Sequence, residues 1–128
     1  LLAFGSAVER ALGGRTLAVI FGAAAIAGAL ALALQVGDAQ ARLVGASGGV
    51  HGVAGAAAMV MLRFGSRAGR RTGVALLGFL IVVNLLLALA GGGYGLLGFQ
   101  IGWQAHLGGL AAGLVVARWR MARIAPPL

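Results

Sequence analysis

The chain has 128 residues, 61% of them hydrophobic and 9% charged, with a mean hydropathy of +1.02, whereas a soluble domain is about 25% charged. Two acidic and ten basic residues cannot give so apolar a chain a solvated surface, which excludes a water-soluble fold and leaves a single-domain membrane protein. The net charge of +8 consists of arginines scattered between apolar runs rather than striped along a polar face, which argues against nucleic acid as a partner, and no cysteine is present for disulfides or thiolate chemistry.

In chain order, residues 1–8 form an apolar stretch that is ending by Glu9, and they read as the stub of a helix that starts upstream. A membrane-crossing helix needs about 20 mostly apolar residues, and four runs follow that approach this length, at 16–34, 44–62, 73–90 and 103–118. Each is bounded by Arg, Gly or Asp. The expectation is an all-α membrane protein with about four complete transmembrane helices plus the end of a fifth. The 24 glycines would let such helices approach closely and pack by van der Waals contact, and Pro126 and Pro127 mark a frayed end.

The arginines orient the bundle, because cytoplasmic connections are enriched in basic residues. Arg10 and Arg15 precede the first full run, Arg63, Arg67, Arg70 and Arg71 separate the second from the third, and Arg118, Arg120 and Arg123 end the fourth. Alternation puts all three places on one side, so 10–15, 63–71 and 118–128 are expected on the cytoplasmic face. Connections 35–43, with Arg42, and 91–102 belong opposite.

Against the apolar spans stand Ser47, His51, Asn84, Gln104 and His106. Polar and ionisable groups inside a membrane are costly and are functional suspects by default. The second and fourth spans both run from the outer side inwards. At about 1.5 Å per residue, Ser47 lies roughly 24 Å from Arg63 and His106 roughly 18 Å from Arg118, so both fall in the outer half of the bilayer. A serine hydroxyl needs a base to become a nucleophile, and imidazole suits that task at neutral pH. Ser47 and His106 are therefore a candidate dyad.

Ser47 sits in GASGGVHG at 45–52, where glycines permit a sharp turn before a helix. Backbone N–H groups near Gly45, Ser47 and Gly48 at a helix N-terminus could hold an oxyanion. The apolar run after Ser47 is shorter than the roughly 30 Å hydrocarbon core, so its start is expected below the membrane surface, lining a wet cavity. His106 sits in WQAHLGGLAAG at 103–113, with Gly109 and Gly113 on its helical face, and Gly48, Gly52 and Ala56 form a matching row of small residues on the serine helix.

These motifs, GASG around Ser47, AHLGGLAAG around His106 and FGSAVERALGG at 4–14, resemble the rhomboid family of intramembrane serine proteases, and the similarity covers nearly the whole chain. The resemblance implies a six-helix bundle, of which this chain would be the core without its first helix and most of its second. It also implies a cofactor-free and metal-free Ser47–His106 dyad that cleaves other proteins' transmembrane segments near the outer face. Gly5, Glu9 and Gly13 match the family's GxxxExxxG pattern, whose glutamate looks structural. Residues 91–102, with Tyr94 and Phe99, fall where the family has a cap over the active site. The family's second helix carries a His and an Asn that help hold the oxyanion, ahead of where this chain starts, so residues 1–128 alone are expected to lack those donors and to be inactive. His51 stands where many members have Tyr or Phe packed against the catalytic histidine.

Blander roles compete with these. Ser47 as a packing residue, and His106 as a carbonyl-satisfied or proton-path histidine, are the structural alternatives. For His51, packing against the dyad is favoured over a second base. Asn84 reads as a helix-to-helix hydrogen bond, Gln104 as structural or a weak substrate contact, and Trp103 and Trp119 as interfacial anchors. At the level of function, the alternatives are a non-catalytic rhomboid-like protein that binds or escorts membrane segments, and a small transporter or channel. The clustering of polar residues near one side disfavours the channel. High Ala, Gly and Arg without Lys resembles a bacterial origin, hence a bacterial cell membrane.

Overall fold

The computed structural model describes residues 2–36, 46–90 and 102–124, and all of its regular elements are helices: α1 (Leu2–Leu12), α2 (Gly14–Val36), α3 (Ser47–Phe64), α4 (Arg67–Ala90) and α5 (Trp103–Arg123). Gly45, Arg42, Tyr94, Phe99, Pro126 and Pro127 lie outside the described residues.

Helix α1 runs a turn beyond the expected 1–8. Glu9 and Arg10 fall on its exposed face while Val8 and Leu12, four residues apart, are buried, so the charged pair does not interrupt the helix. The break comes at Gly13, whose φ of +86° is strained for any residue with a Cβ. Its N–H donates to Glu9 O at 2.8 Å, and its own carbonyl accepts from Leu17 N–H at 3.1 Å. A single residue thus joins α1 to α2.

Helix α4 likewise starts at Arg67, six residues before the apolar run at 73. Arginine is a good helix former, so the basic lead-in continues the helix. Ser66 opens it, its Oγ accepting from Gly69 N–H at 3.2 Å. At the same end of the bundle, Arg120 on α5 donates from Nε to Thr16 Oγ1 at 3.1 Å, and Thr16 is buried. The Arg123 guanidinium lies 3.8 Å from the Trp119 ring centroid.

Helix α3 is the centre and touches the other four. Every residue from 52 to 58 on it is buried, and all but Val53 are Gly or Ala; such a helix is narrow enough to be enclosed on all sides. Gly28 and Ala24 of α2 meet Gly48 and Gly52, so α2 runs antiparallel to α3. Gly48 meets Gly109 and Gly52 meets Gly113, so α5 runs parallel to it. Helix α4 leans on α3 through Gly73 against Ala58, Met61 and Leu62, and through a core of Ala54, Leu80 and Leu110.

The outer helices turn large apolar side chains outward: Ile26, Leu30 and Leu34 on α2, and Phe79, Val82, Leu85, Leu86 and Leu89 on α4. In water such belts would be an aggregation site; in hydrocarbon they are solvated. Gly14–Leu34 and Arg67–Ala90 are long and apolar enough to cross a membrane. The chain is an all-α membrane protein built as a tight helical bundle.

Candidate active site

Two helix N-termini, those of α3 and α5, meet at the end of the bundle opposite the arginine-rich turns. Helix α3 begins at Ser47, with Ala46 as its N-cap and no side chain capping it. The first intrahelical bond runs from Val50 N–H to Ala46 O at 2.9 Å. The N–H groups of Ser47, Gly48 and Gly49 precede that bond and have no acceptor within the helix. Helix α5 begins at Trp103, with His106 in its first turn and Gly109 and Gly113 further along it.

The close approach of these helices depends on the absence of side chains. A Cβ on Gly109 would collide with the backbone of Gly48, and one on Gly113 with the backbone of Gly52. A Cβ on Gly48 would stand 3.0 Å from Ala105 O and 3.1 Å from Ala24 O. Backbone therefore meets backbone directly beside positions 47 and 106, as small-residue faces on membrane helices allow.

Across this seam the rings of His51 and His106 stack with centroids 4.0 Å apart and planes 8° from parallel. His51 Nδ1 lies 2.9 Å from Ser47 O. A carbonyl only accepts, so His51 Nδ1 carries a proton and donates it. His106 Nδ1 lies 3.2 Å from Asn84 Oδ1 on α4, and Asn84 Nδ2 donates to Leu80 O at 2.7 Å. Asn84 is fully buried, whereas Ser47, His51 and His106 are each partly exposed.

The structure thus brings His51 and His106 together, ties His51 to the Ser47 carbonyl, and sets Gly109 and Gly113 against the serine helix. It forms no hydrogen bond between the Ser47 hydroxyl and His106; such bonds are often long before substrate arrives. Gly5, Glu9 and Gly13 sit elsewhere, at α1 and its turn into α2. Gly5 is buried, Gly13 makes the turn, and a Cβ on Gly14 would stand 3.3 Å from the Glu9 carboxylate, which places the glutamate beside that turn. Among the described residues, no cluster of His, Cys, Asp and Glu could hold a metal ion. Asn84 was expected to join helices and does. Its partner could not be read, because a lone amide in an apolar span marks a hydrogen bond but not the ring that receives it.

Residues 1–123 match the family model described as the rhomboid domain. The chain belongs to the rhomboid family. No curated protein and no solved structure matches it. Rhomboid membership agrees with the helical bundle and places Ser47 and His106 within the matched segment.

Proposed function

We propose that this rhomboid is an intramembrane serine endopeptidase in which Ser47 is the nucleophile and His106 the general base. The observation that carries the reading is the His51–His106 ring stack at 4.0 Å, one helical turn along α3 from Ser47. It supports a dyad because it sets an imidazole on α5 at the depth of the serine, with glycine seams permitting closure. In the reaction, His106 Nε2 takes the proton from Ser47 Oγ as the oxygen attacks the scissile carbonyl carbon. The carbonyl oxygen becomes an oxyanion facing the N–H groups of Ser47, Gly48 and Gly49. Collapse breaks the C–N bond, and the amine leaves with the proton from His106. Water, deprotonated by His106, then releases the acid and restores the serine.

The substrates in this reading are transmembrane segments of other proteins, and the arginine-rich segments 10–15, 63–71 and 118–128 face the cytoplasm of a bacterial cell. The test is covalent labelling of the full-length protein in membranes with a fluorophosphonate probe. Labelling is expected in the native protein and lost in Ser47→Ala and His106→Ala. Labelling that persists in Ser47→Ala defeats the assignment. Full cellular function in both variants would instead establish a non-catalytic protein that binds membrane segments.

A further inference from the structure

Helix α4 leans mainly on α3, yet it sends one polar side chain across to α5, and that side chain ends on the candidate base. The orientation of its amide is fixed by chemistry. Asn84 Nδ2 is 2.7 Å from Leu80 O, an atom with no proton to give, so the NH₂ end must point there and Oδ1 must point at His106. Oδ1 in turn only accepts. His106 Nδ1, 3.2 Å away, must therefore carry the ring proton in the neutral imidazole, and Nε2 carries the lone pair.

We propose that Asn84 is the positioning residue of His106: its side-chain oxygen holds Nδ1–H and thereby keeps Nε2 bare, in the one tautomer able to take the proton of Ser47. This rests on the serine-protease reading above and extends it. A dyad histidine with no acidic partner still needs its tautomer set, and a neutral amide does this without placing a carboxylate in hydrocarbon. Among the described residues the single carboxylate side chain is Glu9, which stands at the α1–α2 turn. The same contact supports the imidazolium formed in catalysis, since its Nδ1–H remains donated to Asn84 while Nε2–H is presented to the leaving amine. Full burial of Asn84 keeps water from substituting for it.

The test uses the full-length protein in detergent or lipid, with ¹⁵N-histidine NMR and the kinetics of fluorophosphonate labelling. Ring signals of His106 are assigned by their loss in His106→Ala. In the native protein the neutral ring is expected with Nδ1 protonated and Nε2 bare. Asn84→Leu keeps the number and branching of the side-chain heavy atoms and removes the acceptor; the proton should redistribute towards Nε2, and the maximal labelling rate should fall about tenfold with the probe's half-saturating concentration unchanged. Asn84→Asp retains an oxygen facing His106 and should keep the native tautomer and a rate within about threefold of native. A native labelling rate in Asn84→Leu, or a lower rate with unchanged His106 ring signals, would overturn the inference while loss of labelling in Ser47→Ala left the protease reading standing. Persistence of labelling in Ser47→Ala would sink the protease reading itself.

Discussion

His51 is the side chain whose role turns on a single distinction, that between a flat surface and a proton carrier. Its ring covers His106 face to face, and its Nδ1 proton is engaged by the Ser47 carbonyl. Both features describe a packing surface that holds the His106 ring in place. A phenyl ring would reproduce the stack, so His51→Phe should label with a fluorophosphonate within about threefold of the native rate. His51→Leu removes the aromatic face, a loss of about 0.5–1.5 kcal/mol, and should slow labelling by up to about tenfold. Abolished labelling in His51→Phe would instead make His51 the proton carrier. Positions 47, 51 and 106 stand out in the sequence because polar groups are scarce in these spans, and their common depth follows from counting residues to the arginines. The link from Asn84 to His106 was beyond such counting, since it depends on how far α4 rotates about its own axis against α5.

Glycine is required at some positions of this bundle and dispensable at others, and substitution has opposite consequences in the two cases. At Gly13 the φ of +86° makes the turn between α1 and α2, so Gly13→Ala should destabilise the bundle by about 1–2 kcal/mol, with no collision to blame because nothing lies within 4 Å of the added Cβ. Gly22, inside α2, also has nothing within 4 Å but has helical backbone, so Gly22→Ala should stabilise by up to about 1 kcal/mol. Unfolding in detergent, followed by circular dichroism, measures both. Equal effects of the two substitutions would contradict the role given to Gly13. The number and order of helices were legible in the hydropathy. Their ends were less so: the runs 73–90 and 103–118 mark apolar cores, whereas the helices continue through arginine-rich flanks that satisfy their own backbone and have good helix propensity. The small-residue faces of α3 and α5 stand in the sequence as glycines at 48 and 52 and at 109 and 113, and in the structure Gly48 meets Gly109 and Gly52 meets Gly113.

At the scale of the bundle, the arginines and the candidate site occupy opposite ends. The α3–α4 turn at Gly65 and Ser66 lies among Arg63, Arg67, Arg70 and Arg71, and the C-terminus of α5 carries Arg118, Arg120 and Arg123. Ala46 and Gly102, which precede the two helices bearing Ser47 and His106, lie at the other end. Basic residues are enriched on the cytoplasmic side of membrane proteins, so in the orientation proposed above the candidate site lies near the outer face. The 128 residues contain no cysteine, so a single thiol introduced among them is a clean reporter. Ser66 and Ala46 are both exposed and mark the two ends. Ala46→Cys should react with a membrane-impermeant maleimide added to intact cells from which any outer envelope has been removed, and Ser66→Cys should react after the membrane is opened. The reverse pattern would turn the bundle over and move the candidate site to the cytoplasmic face. Reaction of both thiols in intact cells would mean that the α3–α4 turn is not sheltered behind the bilayer, and the charge pattern would then lose its authority over the orientation.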